Sequence, residues 1–173
     1  ILELNDPSHF NALTLEMASD MGAAVRWLAQ ERRGSIVNAV LQGAGDHFCP
    51  GGNLFRARGP TTSLIVAARS SIGMFDGFCQ LRSLPMPVVC AAHGKVLGGG
   101  LAACLLTDHV ASDKGTTFQV GERSRRIHPA GLLSRTLAGA LGGSTATELY
   151  LAEHMLMGRH ALEVGLLQAI ASS

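Results

Sequence analysis

Apolar residues recur along the chain with two different spacings, and segments of the two kinds alternate. Between residues 14 and 33 an apolar residue recurs every three or four positions, which is typical of an amphipathic helix, and Thr14 is a suitable N-cap. Residues 87–92 are wholly apolar, as in strands of sheets that are covered on both faces. Further strands are predicted at residues 1–5, 36–41, 109–112 and 116–119. Further helices are predicted at residues 62–84, 101–106, 132–140, 146–152 and 161–167.

This alternation of strands and helices predicts one α/β domain spanning residues 1–173, without repeats or linkers. The composition agrees, since 47% of the residues are hydrophobic and 16% are charged, which is typical of a globular chain. A formal net charge of +1 argues against a general affinity for nucleic acid or acidic lipid. Arg69 interrupts the longest apolar stretch, so no membrane span is predicted.

The cysteines indicate the compartment in which the chain works. Cys49, Cys79, Cys90 and Cys104 form no C-x-x-C pair, and three of them lie in apolar runs. This favours buried, reduced thiols over disulfides or zinc, and predicts an intracellular, reducing compartment. No signal peptide is recognisable. The sequence opens at Ile1 without an initiator methionine, so a missing leader or preceding domain stays an open alternative.

Two glycine-bearing segments each follow an apolar strand: residues 48–54 (F-C-P-G-G-N-L) and residues 94–100 (G-K-V-L-G-G-G). Phosphate binding is disfavoured because neither G-x-G-x-x-G nor G-x-x-x-x-G-K-[ST] is present. Tight packing alone stays open for either segment. A third interpretation is that backbone amides from the two loops converge on one oxygen, which is what an oxyanion hole requires.

Five motifs in order along the chain carry a family resemblance. Residues 48–54 are similar to F-C-A-G-A-D-L, and residues 87–100, followed by Asp108, are similar to P-V-I-A-A-V-x-G-x-A-x-G-G-G…D. Asn11-Ala12-Leu13 is similar to N-A-L. Residues 118–122 with Pro129 resemble F-x-x-P-E…P, and residues 157–166 resemble T-G-x…A-x-x-x-G-L. Each motif is weak alone, but the ordered set is specific and resembles the crotonase (enoyl-CoA hydratase/isomerase) superfamily.

The resemblance implies an α/β fold in which ββα units form a spiral. Chains of this superfamily usually continue into C-terminal helices that build a trimer, and we expect those helices to lie outside residues 1–173. The sequence is therefore interpreted as a crotonase-like core domain, truncated or partial. A homo-oligomer, a trimer or a hexamer, is expected for the full-length form.

The resemblance also implies the site residues. The oxyanion donors would be the backbone amides of Gly52 and Gly99, and Glu122 would be the acid/base. The expected substrate-binding residues are Ala12, Pro50, Gly51, Asn53, Leu54, Leu97, Gly98, Gly121 and Pro129. The expected partner is an acyl thioester of coenzyme A or of acyl carrier protein. Coenzyme A belongs to that substrate, so no separate cofactor and no metal are expected.

One position departs from the two-glutamate pattern of the superfamily's hydratases. One glutamate matches Glu122, whereas the other falls on Ala102, which cannot transfer a proton. A single glutamate resembles the enoyl-CoA isomerases and the dehydratase/hydratase-like members that act on carrier-bound polyketide intermediates. The expected function is therefore enoyl-thioester hydration, dehydration or isomerisation through an enolate. The alternative, which Ala102 favours, is a non-catalytic protein that binds acyl thioesters or serves as a scaffold.

The charged residues after Glu122 allow two interpretations. Residues 123–126 (R-S-R-R) can form a solvated face, or one arginine can bind a distal carboxylate of the acyl group or coenzyme phosphates. His128 could assist proton transfer, although a surface or core histidine is the simpler interpretation. A nucleotide-binding α/β domain is a third class, disfavoured by the missing phosphate motifs.

Overall fold

The computed structural model describes residues 1–31, 36–52 and 64–171. The strands in these ranges are β1 (Leu2–Leu4), β2 (Ala39–Gly43), β3 (Val88–Ala92), β4 (Lys95–Leu97), β5 (His109–Ser112), β6 (Thr117–Gln119), β7 (Leu156–Met157) and β8 (Ala169–Ile170). The α-helices are α1 (Leu15–Gln30), α2 (Leu64–Cys79), α3 (Gly99–Cys104), α4 (Leu133–Leu141), α5 (Gly143–Ala152) and α6 (Gly158–Glu163). Short 3₁₀ turns occupy Pro7–His9 and Gln80–Ser83.

The strands form two sheets that the chain visits in turn. Strands β1, β2, β3, β5 and β8 form a parallel sheet in that order. Strand β6 of the second sheet pairs in parallel with β4 and antiparallel with β7. The segments β3–β4–α3 and β5–β6–α4 each place one strand in each sheet and then add a helix. The chain therefore repeats a ββα unit, which confirms the predicted α/β class and agrees with the ββα units that the resemblance implies.

Helix α1 follows its predicted pattern. The Thr14 hydroxyl accepts a hydrogen bond from the Met17 amide at 3.1 Å and caps the helix. The four residues of the predicted stripe are all buried: Ala18, Met21, Val25 and Leu28. Helices α1 and α2 cross closely, since a Cβ atom on Gly77 would lie 2.6 Å from the Gly22 nitrogen. This crossing places the C-terminal half of α2 over the core.

The predicted strand at residues 36–41 is displaced, because β2 runs from Ala39 to Gly43. The reason lies in its neighbour: the Ala39 amide donates to the Pro87 carbonyl at 2.9 Å, and β3 begins only at Val88. Strand pairing, and not the start of the apolar run, therefore sets where β2 begins.

Strand β3 is central in the larger sheet, between β2 and β5. One of its faces is fully buried, through Val88, Cys90 and Ala92, whereas Val89 and Ala91 are half-buried. The second face is therefore only partly covered within the described residues, less than the wholly apolar sequence predicts.

The predicted C-terminal helix at residues 161–167 is also displaced, because α6 runs from Gly158 to Glu163. The chain turns after α6 through Gly165, whose φ is +86°, and the Leu166 amide donates to the Ala161 carbonyl at 2.8 Å.

Helix α2 ends at Cys79 and continues as the 3₁₀ turn Gln80–Ser83, so the predicted helix at 62–84 combines two elements.

All four cysteines carry free thiols. The Sγ atoms of Cys90 and Cys104 lie 3.3 Å apart in the core as a hydrogen-bonded pair of thiols. Burial raises the pKa of Cys49 to about 12 and raises that of Cys90 as well.

Within the described ranges, none of the helices combines the length and apolarity that a bilayer crossing requires.

Candidate active site

The two glycine-bearing segments lie side by side. The Leu97 amide donates to the Cys49 carbonyl at 3.1 Å. Two residues later the segments touch, because a Cβ atom on Gly51 would lie 3.1 Å from the Gly99 nitrogen and 3.0 Å from the Leu97 carbonyl oxygen. Gly51 also has φ +97°, a backbone conformation that side chains with a Cβ rarely adopt. Both the contact and the conformation favour glycine at position 51, because a Cβ would crowd its neighbours and strain the backbone.

Two backbone amides are left unpaired at this junction. Among the described residues, neither the Gly52 amide nor the Gly99 amide donates to a protein acceptor. The chain beside them is nevertheless held firmly, since the Leu13 amide donates to the Gly51 carbonyl at 2.7 Å. Unpaired amides on adjacent, well-fixed segments are free to bond an oxygen of a ligand.

Glu122 reaches the same place from the second sheet. The Gly98 amide donates to the Gln119 carbonyl at 2.9 Å, and Glu122 follows three residues later. A Cβ atom on Gly98, where φ is +48°, would lie 3.3 Å from Glu122 Oε1. The other carboxyl oxygen, Oε2, is buried and has no hydrogen-bond partner in the described part of the chain. The Glu122 carboxyl therefore lies beside the glycine that immediately precedes the Gly99 amide.

The environment of Glu122 favours its neutral form. The residue is 6% exposed, and this burial raises the pKa of Glu122 to about 7. Its own backbone amide and the Arg125 guanidinium oppose the shift, and the charge of Glu153 adds to it. A carboxyl with a pKa near neutrality can both accept and return a proton at physiological pH.

The loop that carries Glu122 is fixed at both ends. Glu153, just after α5, accepts a hydrogen bond through its carbonyl from Gln119 Nε2 at 2.8 Å and through its carboxylate from the Ser124 amide at 3.0 Å. The Ile127 amide donates to the Glu122 carbonyl at 2.9 Å. These bonds hold the backbone on each side of the buried carboxyl.

Ala102 lies on α3, one turn after Gly98, whose carbonyl accepts from its amide at 3.0 Å. It is 0% exposed and brings no group that could transfer a proton. Gly98 thus adjoins both positions that the resemblance aligns with catalytic glutamates, and only Glu122 offers a carboxyl.

Apolar residues of α2 form a wall beside the amides. The sulfur of Met74 would be 3.8 Å from a Cβ atom on Gly52, and the Phe75 ring would be 2.9 Å from one on Gly99. The same ring packs against Gly131. The sequence predicted none of Met74, Phe75 and Gly131 as site residues, because apolar residues in a helix give the same pattern whether they face the core or a ligand.

The remaining predicted substrate-binding residues are close in sequence to this centre. Ala12 is 3% exposed and adjoins Leu13, Pro50 and Pro129 are half-buried, and Gly121, with φ +69°, directly precedes Glu122. Their substrate-binding roles stay predictions. Two predicted residues lie outside the described residues: Asn53 and Leu54.

The three arginines after Glu122 are exposed, and two of them bond to the backbone. Arg123 Nη1 donates to the Leu151 carbonyl at 2.9 Å, and Arg125 Nη1 donates to the Gly121 carbonyl at 2.6 Å. These bonds favour a structural role for both side chains over open ligand binding. His128 is exposed. In residues 1–31, 36–52 and 64–171, no His, Cys, Asp and Glu side chains cluster in a way that could hold a metal ion.

Comparison with known proteins identifies the family. The sequence model described as Enoyl-CoA hydratase/isomerase matches residues 1–173. The chain is 28% identical to the peroxisomal Delta(3,5)-Delta(2,4)-dienoyl-CoA isomerase of Arabidopsis thaliana, over 99% of this chain and 65% of that protein. It is 29% identical to "Probable enoyl-CoA hydratase EchA14" of Mycobacterium tuberculosis, over 84% of this chain and 56% of that protein. The chain thus matches little more than half of the length of EchA14.

A solved structure agrees with the sequence matches. The enoyl-CoA hydratase from Polaromonas sp. JS666 superimposes with a TM-score of 0.89 at 27% identity, over 98% of this chain and 66% of that one. Sequence and fold therefore point the same way, and the chain belongs to the enoyl-CoA hydratase/isomerase family of the crotonase superfamily.

Proposed function

We propose that the chain binds an acyl-CoA thioester and catalyses proton transfer on its enolate, with Glu122 as the single acid/base. The observation that carries this proposal is the buried Glu122 carboxyl, with one oxygen unpartnered among the described residues, beside Gly98, which directly precedes the unpaired Gly99 amide. The family and the CoA thioesters in its members' names support the substrate class. An acyl-carrier-protein thioester presents the same reacting group and stays within the proposal.

The proposed role of the amides follows from where charge develops. When a proton leaves the carbon next to a thioester, negative charge moves to the carbonyl oxygen. Two donors, from Gly52 and Gly99, would stabilise that oxygen, and loss of one such donor typically costs about 10²–10³-fold in rate. The exposure of Gly52 leaves a path for the ligand, and the apolar wall of Met74 and Phe75 suits an acyl chain.

One carboxyl is sufficient for isomerisation. Glu122 as carboxylate would take a C2 proton from a 3-enoyl thioester, which leaves a dienolate with its charge on the thioester oxygen. The resulting Glu122 acid would return the proton to C4, which moves the double bond to C2–C3 and restores the carboxylate. A pKa of about 7 suits both halves of this cycle. Hydration needs a group that activates water and one that protonates C2, and Ala102 removes one candidate. We therefore favour isomerisation over hydration of a short enoyl-CoA.

A non-catalytic thioester-binding or scaffold protein is the second candidate, and the apolar Ala102 is the observation that favours it. The two candidates are separated by assays of 3-enoyl-CoA isomerisation and 2-enoyl-CoA hydration with the wild type and two variants. Glu122→Gln keeps the shape of the side chain but cannot shuttle a proton, and we expect it to remove the activity. Ala102→Glu should raise hydration relative to isomerisation. A wild type that binds a thioester but turns over neither substrate would favour the non-catalytic candidate.

The assembly and further requirements of the chain are also proposals. We expect a homo-oligomer, a trimer or a hexamer for the full-length form, because members of the superfamily bury core faces against partner subunits, and sedimentation velocity tests this. We expect no cofactor beyond the coenzyme A of the substrate. Turnover that persists after extensive dialysis against a chelator would support that expectation.

A further inference from the structure

Asn11 makes a buried set of hydrogen bonds that joins three segments of the chain. The residue is 0% exposed. Its Oδ1 accepts from the Asp6 amide at 2.8 Å, and its Nδ2 donates to the Ala44 carbonyl at 2.8 Å and to the His47 carbonyl at 2.7 Å. Every polar atom of the side chain is therefore used, as is expected for a polar group with no access to water.

The backbone of Asn11 is held in an uncommon conformation. Its φ is +61°, and Asn is one of the few residues with a side chain that adopts the left-handed region readily. Its own amide donates to the Asp6 carbonyl at 2.8 Å, so the turn closes on itself. Such conformations persist where the surrounding contacts determine them, and they are frequent near functional sites.

The segment after Asn11 contacts both proposed oxyanion donors. The Leu13 amide donates to the Gly51 carbonyl at 2.7 Å, directly before the Gly52 amide. The Leu13 side chain packs on the other loop, since its Cδ1 would be 3.3 Å from a Cβ atom on Gly99. The loop that Nδ2 holds at His47 leads directly into the same glycine segment. Asn11 thus bonds to the start of the segment that leads to Gly52, at Ala44 and His47, and Leu13 bonds to its end, at Gly51.

We propose that Asn11 is a positioning residue for the oxyanion site, because it fixes residues 11–13 and 44–48 relative to each other and so sets the place of the Gly52 amide. It does not touch the substrate. The inference rests on the proposed function, since it assigns the geometry of that site to a side chain outside it. A displacement of about 1 Å in a catalytic group can cost about 10²-fold in rate. Loss of the Asn11 side-chain hydrogen bonds should therefore lower kcat measurably.

Two variants remove the contact in different ways. Asn11→Asp keeps the shape and the bond from the Asp6 amide, but it turns a carboxylate oxygen toward the carbonyls of Ala44 and His47. Asn11→Gly removes the side chain and retains easy access to φ +61°. The matched control is Thr14→Ala, which removes the cap of α1 three residues away and lowers stability without altering the contacts of Asn11.

The experiment measures kcat and KM for 3-enoyl-CoA isomerisation, and amide hydrogen exchange at Leu13, at a temperature where all variants are folded. We expect both Asn11 variants to lower kcat by about 10- to 100-fold with KM changed only a few-fold. We expect faster exchange at Leu13 in both. Thr14→Ala should keep the wild-type kcat and the wild-type exchange at Leu13.

The failure of this inference differs from the failure of the proposed function. An active wild type whose two Asn11 variants retain its kcat, or a Thr14→Ala variant with an equal loss of kcat, would overturn the positioning role alone. A wild type without turnover would overturn the proposed function. In that case hydrogen exchange still tests whether Asn11 fixes residues 11–13 relative to residues 44–48. Unchanged exchange at Leu13 in Asn11→Gly would overturn this. Faster exchange at Leu13 in Asn11→Gly, but not in Thr14→Ala, would support it.

Discussion

The Glu122 carboxyl is predicted to make the stability of the chain depend on pH. Its folded-state pKa is about 7, raised from the model-compound value of 4.5 by burial. Because the folded state holds the proton more tightly than the unfolded state, the contribution of Glu122 is fully present below about pH 4.5 and is lost as pH rises through about 7. The difference between a pKa of about 7 and the usual value of 4.5 corresponds to about 3.5 kcal/mol, at about 1.4 kcal/mol per unit.

Glu122→Gln removes this titration and keeps the size of the side chain. Relative to the wild type, the free energy of unfolding of the variant should therefore rise by about 2–3 kcal/mol between about pH 5 and about pH 8.5. Urea unfolding followed by circular dichroism at both pH values measures the change. The matched control is Glu148→Gln on α5, where the side chain is exposed; it should show no comparable rise. A difference between Glu122→Gln and wild type that stays constant with pH would refute the reasoning about burial.

Three further predictions follow from the same structure. Isomerisation by the wild type should rise with pH through about 7, because the first step needs Glu122 as carboxylate, and a pH–rate profile of kcat/KM that is flat from about pH 5.5 to 8.5 would contradict this. Gly51→Ala should lower kcat by about 10²-fold, because its Cβ would meet the Gly99 nitrogen at 3.1 Å; steady-state kinetics at wild-type rates would contradict the convergence of the two loops. Ellman's reagent should modify Cys79 first in the folded chain, since it is half-buried whereas the other three thiols are buried, and modification of all four at one rate would contradict this.

Much of the fold could be predicted from the sequence where the pattern is local. The stripe from Ala18 to Leu28 and its cap at Thr14 are fixed by residues three or four positions apart, and the structure confirms both. Strand β5 has the predicted bounds. The sequence predicts β4 only as part of a glycine loop, because glycines flank it. The strand forms because Val96 is buried and pairs with Phe118. Such pairing depends on residues more than twenty positions away.

The candidate site shows the same division between local and long-range information. The glycine segments could be found because their composition is unusual, and Gly51 and Gly99 do meet. The buried contacts of Asn11 could not be predicted, since its bonds to Ala44 and His47 span 33 and 36 positions. The contact of the Phe75 ring with Gly99 could not be predicted either, because only the packing of α2 decides that the ring lies there and not elsewhere in the core. The sequence pattern therefore does not predict which side chains from distant helices, strands and loops come into contact.

The central claim, that the chain stabilises a thioester enolate and moves its proton through Glu122, can be tested without knowing the natural substrate. The measurement is the loss of deuterium from C2 of 3-hexenoyl-CoA deuterated at C2, followed by NMR in substrate and product together, because a deuteron taken by Glu122 leaves C2 whether it goes to C4 or to water. We predict loss well above the rate in buffer for the wild type and a fall to the buffer rate in Glu122→Gln. Wild-type loss at the buffer rate, or undiminished loss in Glu122→Gln, would contradict the claim.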